Sequence, residues 1–390
     1  MTARRLISLL LLLFPLSPSA ETVAWRNALW FDGSRFVAGT KYSVDGAFVD
    51  RAPGRIDVKN PNVIPELVTA QVRARLGRPD SIDVAFSNGG LTSPGGHPVP
   101  LHAYLASLGV FKGLNPEDME DRAFHVVANE SELEAKWPRI LAAQPDFIKT
   151  FLLFSEEYEG REPLVRETDG KPNKGLDPKV LAAVVRRAHA SGLRVSTHVD
   201  TARDFDNAVA AGVDEINHLP QPDQRFSPDL SAYVISGEAA RLAASKGITV
   251  VTTASTTERL SPSLPAGWIG PMRANQAANL KTLRAAGVKI AIGSDGISGE
   301  RRFVTARDEV IFLDRHGMMD PLSLLRSWAI DTPQTIFPKR KLGELRAGFE
   351  ANFLVLAGNP LEDSGNLHRI TMRVKQGRVL PPIPSIVLGR

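Results

Sequence analysis

Residues 194–218 read RVSTHVDTARDFDNAVAAGVDEINH, and this stretch sets the pattern for the middle of the chain. Two short apolar runs each end in a histidine, His198 and His218, and the segment between them has the composition of one helix. Strand, helix and strand at this spacing predict two parallel strands joined by a crossover helix. The stretch therefore predicts a βαβ unit with a histidine at the end of each strand.

The same pattern recurs along the middle of the chain, where an Ala-rich helix ends in glycine and a strand follows. Its copies read HASGLRVSTH, VAAGVDEINH, ASKGITVVTT and RAAGVKIAIGSD, with Gly192, Gly212, Gly247 and Gly287 at the junctions. Glycine at a helix end adopts the left-handed cap conformation without strain. Strands as apolar as VKIAIG indicate burial on both faces. The repeat predicts an α/β fold with a parallel sheet, either doubly wound or closed as a (β/α)8 barrel.

Counting from these glycines gives even offsets for four polar side chains. His198, His218 and Thr253 each lie six residues after a glycine, and Asp295 lies eight residues after Gly287. Because strand side chains alternate between faces, we expect all four to share one side of the sheet near the strand ends. In a barrel, active sites are built at that end. Two imidazoles and a carboxylate gathered there predict a metal site, with His198, His218 and Asp295 as ligands.

A lysine occupies the middle of an upstream apolar strand. The run QPDFIKTFLLF carries Lys149 at its centre. A lysine inside a buried strand is costly unless it is paired or modified, and burial lowers its pKa and makes the neutral amine nucleophilic. Such an amine can add carbon dioxide, and the carbamate formed is an anionic oxygen ligand for a metal. Lys149 is therefore a fourth candidate ligand.

Composition excludes several classes of protein. The net charge of +4 is too small to indicate a nucleic-acid partner, and the absence of cysteine excludes both disulfides and a cysteine nucleophile. The sequence has no Gly-x-Ser-x-Gly run, and its Gly-Gly pair at 89–90 lacks the Lys-Ser/Thr of a phosphate loop. A serine-elbow hydrolase and an NTPase are therefore not supported.

The first 20 residues, MTARRLISLLLLLFPLSPSA, have a basic start, an apolar run and a small-residue end. This pattern predicts a secretory signal peptide, because the apolar run is too short to span a membrane. We expect cleavage after Ala20 and an exported protein, periplasmic or secreted, with no membrane attachment after cleavage.

Both ends of the remaining chain carry strand patterns. The predicted division is a small β-sandwich from residues 21–57 and 343–383, and a barrel from residues 58–342. Barrel strands are expected near 55–60, 82–87, 147–152, 194–198, 214–218, 248–253 and 288–293. These are seven strands, and a complete barrel has eight.

The candidate residues, taken together, resemble those of the amidohydrolase superfamily, in the branch of imidazolonepropionase-like and prolidase-like hydrolases. In that family a carboxylated lysine on strand four, histidines ending strands five and six, and an aspartate ending strand eight bind metal. Lys149, His198, His218 and Asp295 match these places in order. The C-terminal stretch LGELRAGFEANFLVLAGNPLED is similar to the family's return to its small β-sandwich. The loop SNGGLTSPGGHPVP is similar to its Gly-Gly-His loop, which implies a substrate-binding role for His97.

The chain departs from the family at strand one. The family carries a His-x-His there, within a Pro-Gly-x-x-Asp-x-His-x-His run, and no His-x-His occurs in these 390 residues. We expect that one βα unit is missing between residues 57 and 58. Open strand edges at such a gap make a homo-oligomer a plausible way to cover it.

The resemblance implies a metal-dependent hydrolase that cleaves carbon–nitrogen bonds of a small molecule, such as an amide, a dipeptide or a cyclic amide. It implies one divalent ion per chain, with zinc favoured, and Asp295 as the catalytic residue that moves the proton. The loops at 88–103 and 155–176 would select the substrate. The alternative is an exported protein that keeps the scaffold and has lost catalysis.

Overall fold

The computed structural model describes residues 22–50, 56–57, 62–65, 83–107, 119–121, 123–161, 174–221, 230–260, 267–295 and 305–381. The predicted signal peptide lies outside these residues.

The strands are β1 (Thr22–Phe31), β2 (Phe36–Val44), β3 (Ala47–Val49), β4 (Ile56–Asp57), β5 (Asn62–Pro65), β6 (Gly90–Thr92), β7 (Phe124–Val126), β8 (Phe147–Phe151), β9 (Arg194–His198), β10 (Glu215–Asn217), β11 (Thr249–Thr252), β12 (Lys289–Ile292), β13 (Phe353–Leu356), β14 (Ile370–Lys375) and β15 (Arg378–Val379). The α-helices are α1 (Val99–Ser107), α2 (Glu130–Ala142), α3 (Pro178–Ala190), α4 (Ala202–Ala211), α5 (Gly237–Ser245), α6 (Thr256–Leu260), α7 (Ile269–Ala285), α8 (Ala306–Arg315), α9 (Pro321–Arg326) and α10 (Thr332–Ile336).

The two ends of the chain meet in one small sheet. Its strand order is β15-β14-β13-β5-β1-β2-β3, with β4 also paired to β1. Strand β5 lies between the two ends, parallel to β1 and antiparallel to β13. The ring of Phe353 packs at 5.0 Å from Trp25, 5.4 Å from Trp30 and 6.0 Å from Phe48, measured between centroids. Aromatic packing therefore joins N-terminal and C-terminal strands.

This sheet extends further along the chain than the sequence suggests. The predicted boundary between residues 57 and 58 is wrong, because β5 (Asn62–Pro65) pairs with β1 and β13. The barrel strand expected near 55–60 is wrong for the same reason, since Ile56 and Asp57 pair with β1. The chain therefore enters the barrel after Pro65.

The second sheet has seven parallel strands among the described residues, in the order β12-β11-β10-β9-β8-β6-β7. With helices between the strands, it confirms the predicted TIM-like α/β architecture. Strands β8 to β12 lie where the sequence predicts them. The strand expected at 82–87 is wrong, because residues 83–87 are irregular and β6 follows at 90–92. Strand β7 was not expected, and β6 lies between it and β8. The loss of one βα unit stays a prediction, since it falls on residues that are not described.

The junction glycines and helix caps set where each barrel strand begins. Gly192, Gly212, Gly247 and Gly287 all have positive φ, between 69° and 83°, as predicted for left-handed caps. Helix α3 starts with Pro178 after a capping aspartate. Within the described part of the chain, no helix combines the length and the apolar content needed to cross a membrane.

Candidate active site

The strand register brings polar side chains of β8, β9 and β10 to one face. Phe151 pairs with His198 and His198 with Asn217, while Lys149 pairs with Ser196. Residues opposite each other in parallel strands project to the same side. The residues that alternate with these along the three strands point to the opposite face, where they pack against the helices in the main apolar cluster. These side chains therefore point into the barrel, towards the carboxyl ends of the strands.

The imidazoles of His198 and His218 are in contact, with ring centroids 4.5 Å apart. His198 Nε2 lies 3.1 Å from the carboxylate of Asp200. His218 Nδ1 lies 2.7 Å from the hydroxyl of Thr253. Each ring therefore has one nitrogen engaged by a neighbour, and that contact fixes the ring's orientation.

The backbone position that brings His218 into the site differs from the predicted one. The argument from even offsets is wrong for this residue, because Asn217, and not His218, pairs with His198 and points into the barrel. Asn217 lies five residues after Gly212, whereas its partner His198 lies six residues after Gly192, so the segment after Gly212 is one residue shorter and the register shifts. His218 then takes a left-handed backbone with φ of 76°, and its ring contacts that of His198.

Lys149 points towards Asn217. Its Nζ donates to Oδ1 of Asn217 at 2.6 Å and lies 5.5 Å from the ring centroid of Phe151. Burial lowers the pKa of Lys149 to about 8, against the charges of Glu215 and Asp295, which raise it. The amine is therefore far more readily deprotonated than an ordinary lysine.

Asp295 lies just after β12, with an exposed side chain and a φ of 46°. Burial keeps the pKa of His218 well below its usual value, and the charge of Asp295 opposes this effect. Asp295 is thus within electrostatic reach of both His218 and Lys149.

His97 lies over the same site. Its ring stacks on His198 with centroids 5.6 Å apart and meets the edge of Phe151 at 5.2 Å. Its backbone N–H donates to the carbonyl of Lys174 at 2.7 Å, which ties two of the predicted substrate loops together. Burial, with the nearby charge of His198, lowers the pKa of His97 to about 3. His97 is therefore neutral at neutral pH.

The sequence analysis missed two buried carboxylates that hold the loops of the site. Asp204 accepts four backbone N–H bonds, from residues 154, 155, 200 and 201, at 2.8–3.1 Å. Glu309 accepts two, from Ala254 and Ser255, at 2.7 and 2.8 Å. The loops after β8, β9 and β11 are thereby fixed. Thr201-x-x-Asp204 is a capping-box pattern and could have revealed the first carboxylate.

Gly90 was also missed as a residue of the site. A Cβ at this position would collide with the ring of Phe151 and lie 3.3 Å from the side chain of Lys149. Glycine in β6 therefore leaves the space that these two side chains occupy.

The donor set fits a metal ion in part. Burial lowers the pKa of His198 to about 3 and that of His218 well below its usual value, so both rings are in the neutral form that binds metals. Among the described residues, no three His, Asp or Glu side chains gather closely enough to hold an ion. A third ligand would have to come from a carboxylated Lys149 or from movement of Asp295.

The profile of the amidohydrolase family matches residues 114–380, well over half of the chain. The chain belongs to the amidohydrolase family. This confirms the resemblance seen in the sequence, and members of the family are hydrolases of carbon–nitrogen bonds. The match covers strands β7 to β15 and includes Lys149, His198, His218 and Asp295.

Individual relatives agree with this family. The ochratoxinase of Aspergillus niger is 29% identical over 208 residues, which are 51% of this chain and 40% of the relative. The matched segment of this chain thus covers less than half the length of this relative. The crystal structure of A. niger ochratoxinase has a TM-score of 0.68 at 18% identity, covering 94% of this chain and 97% of that one.

Two further solved structures share the fold. A Xaa-Pro dipeptidase with bound methionine has a TM-score of 0.60 at 18% identity, covering 92% of this chain and 99% of that one. Phenylurea hydrolase B has a TM-score of 0.61 at 15% identity, and the alignment covers 92% of this chain and 97% of that one. At these identities the likeness establishes the fold alone.

Proposed function

We propose that this protein is a metal-dependent hydrolase that cleaves a carbon–nitrogen bond in a small molecule: an amide, a dipeptide or a cyclic amide. The observation that carries the proposal is the contact between the neutral rings of His198 and His218, at 4.5 Å between ring centroids, with Lys149 within electrostatic reach of both. These residues lie at the carboxyl ends of neighbouring barrel strands, where enzymes of this architecture place their catalytic groups.

In this proposal Lys149, as a carbamate, and His198 and His218 hold one divalent ion per chain, with zinc favoured by the nitrogen and oxygen donors. When bound, the ion supplies a water molecule with a lowered pKa. Asp295 takes a proton from the attacking water and passes it to the leaving nitrogen. His97, stacked on His198 and neutral, binds the substrate.

A single ion is proposed because the sequence lacks the family's histidines on strand one. In the sequence, Pro65 is followed by Thr69, Gln71 and Arg73, at the spacing where the family run has Asp, His and His. Arginine carries a permanent positive charge and is no metal ligand. Because strand β5, which ends at Pro65, belongs to the small sheet, the proposed loss of a βα unit would fall after Pro65 and not between residues 57 and 58.

The test combines metal analysis with substrate assays. Purified protein loaded with zinc is assayed with dipeptides, N-acyl amino acids, cyclic amides and ochratoxin, the last because of the ochratoxinase relative. We expect hydrolysis of at least one class, and its loss in His198→Ala. Absence of hydrolysis by protein that holds its zinc would contradict the proposed activity.

The second candidate is a non-catalytic exported protein on the same scaffold. It is favoured by one observation, the absence of any His-x-His from the 390 residues. Folded protein that neither retains zinc nor hydrolyses any class of substrate would support this candidate.

We also propose export and self-association. The basic, leucine-rich start of the chain supports cleavage after Ala20 and a periplasmic or secreted protein. A barrel that lacks one βα unit has unpaired strand edges, and association of identical chains would cover them. Sedimentation of the mature protein as a monomer would contradict this second point.

A further inference from the structure

The amine of Lys149 is directed by a neighbour two strands away. Its Nζ donates at 2.6 Å to Oδ1 of Asn217, across the intervening strand β9. Both residues point into the barrel, and Asn217 lies directly before His218. The contact therefore links the proposed carbamate position to the strand that carries a histidine of the site.

The amide of Asn217 is held in one orientation. Its Nδ2 donates to Oε1 of Glu215 at 2.8 Å. A carboxylate only accepts hydrogen bonds, and a side-chain amide has one donating nitrogen and one accepting oxygen. With the nitrogen bound to Glu215, the oxygen of Asn217 has to face Lys149. The hydroxyl of Ser196 completes the group, 2.8 Å from Glu215 Oε1 and 3.0 Å from Asn217 Oδ1.

We propose that Asn217, oriented by Glu215, is the positioning residue for carboxylation of Lys149. This inference rests on the carbamate of the proposed function. Oδ1 of Asn217 accepts an N–H of the amine and leaves the nitrogen lone pair for carbon dioxide. After reaction it accepts the one N–H that a carbamate retains. The two carbamate oxygens are thereby turned away from Asn217, towards His198 and His218.

The step balances with carbon dioxide as the co-reactant. The amine lone pair forms the new N–C bond, and a C=O π pair of carbon dioxide moves to oxygen. One N–H proton leaves to solvent. The product is a carbamate anion, and its remaining N–H is the donor that Asn217 requires.

The test measures the carbamate itself. Zinc-loaded protein is equilibrated with ¹³C-bicarbonate, and carbamate occupancy is read from the ¹³C resonance as bicarbonate is varied. Asn217→Leu keeps the volume and removes the acceptor. We expect half-occupancy to need at least about fivefold more bicarbonate, as for the loss of one hydrogen bond in a buried site. Thr150→Val is the matched control, because Thr150 is the next residue after Lys149 and its hydroxyl bonds to that of Thr197 and not to Asn217. We expect its curve within about twofold of wild type.

Two results would overturn the proposal in distinguishable ways. A wild-type carbamate that persists unchanged in Asn217→Leu overturns the role of Asn217 and leaves the proposed function standing. No carbamate in the wild-type protein overturns the carboxylation of Lys149, and this inference with it. If Asn217→Leu does not fold, Glu215→Gln serves instead. Its amide no longer forces the orientation of Asn217, and we expect a smaller shift in the same direction.

Discussion

The hydroxyl of Thr253 lies 2.7 Å from Nδ1 of His218 and joins the loop after β11 to the histidine after β10. Because Nδ1 is engaged by Thr253, Nε2 is the nitrogen of His218 that would bind the metal. Partners of this kind orient a histidine ligand, and their loss commonly costs about 10–100-fold in metal affinity or activity. We expect Thr253→Val to weaken zinc binding by that order while the protein stays folded. Competition with a zinc-binding dye measures the affinity, and an unchanged value would contradict the orienting role.

The proposed ligands predict the metal content. Wild-type protein should retain at most about one zinc per chain, because three protein ligands with a fourth position open to water make one catalytic zinc site. His198→Ala and Lys149→Ala should both lose it. A short carboxylic acid in the buffer should partly restore the metal in Lys149→Ala, since it can occupy the place of the carbamate. Elemental analysis gives the stoichiometry, and two ions per chain would refute the single site.

Two partly buried histidines of the candidate site predict how stability depends on pH. Burial lowers the pKa of both His97 and His198 to about 3, while an unfolded histidine titrates near 6.5. As the pH falls from about 6.5 towards 3, the unfolded chain takes up these protons first. The free energy of unfolding should therefore fall by up to about 1.4 kcal/mol per pH unit for each histidine.

Denaturant unfolding of chelator-treated protein at several pH values measures this slope. His198→Asn should have a shallower slope than wild type in the same window. His368→Asn, at an exposed position, is the control and should keep the wild-type slope. Equal slopes in His198→Asn and wild type would show that burial does not hold this ring neutral.

The carboxylate of Asp204 predicts a large loss of stability on substitution. It accepts four amide N–H bonds from two loops, whereas an asparagine offers one accepting oxygen. We expect Asp204→Asn to lower the free energy of unfolding by about 3 kcal/mol. Asp206→Asn, two residues on in the same helix, should stay within about 0.5 kcal/mol. A small effect at both positions would mean that the loops are held by other contacts.

The start of the chain predicts the mature terminus. Cleavage after Ala20 gives a protein that begins near Glu21 and lies outside the cytoplasm. N-terminal sequencing of the exported fraction measures this directly. A sequence that begins at Met1 or Thr2 in that fraction would refute cleavage.

The sequence predicted the parts of the barrel that local chemistry determines. Strand β8 is an apolar run, and strands β9 to β12 each follow a glycine cap, so their pattern is visible without the fold. Strands β6 and β7 have three residues each, GLT and FHV, and only pairing with neighbouring strands makes them part of the sheet. Pro65 was assigned to the wrong sheet because the partners of β5 come from both ends of the chain.

The candidate site was predictable in its residue types and less so in its geometry. His198 followed from its place at a strand end. His218 was chosen by a parity that does not hold, because the segment after Gly212 is one residue shorter in the register than the segment after Gly192. Asn217 and Glu215 gave no signal, because polar residues in a strand usually face solvent, and only the register shows that they meet Lys149.

The left-handed backbone at His218 also has a consequence for evolution. An ordinary strand end presents one side chain to the substrate, whereas here two consecutive codons, for Asn217 and His218, both encode groups in the site. Neighbouring codons can change together in a single mutational event. Two side chains of the site can therefore be replaced at once here, whereas side chains on separate strands would need two independent mutations. A two-codon library at 217 and 218, selected for turnover of a new amide, would sample that landscape directly.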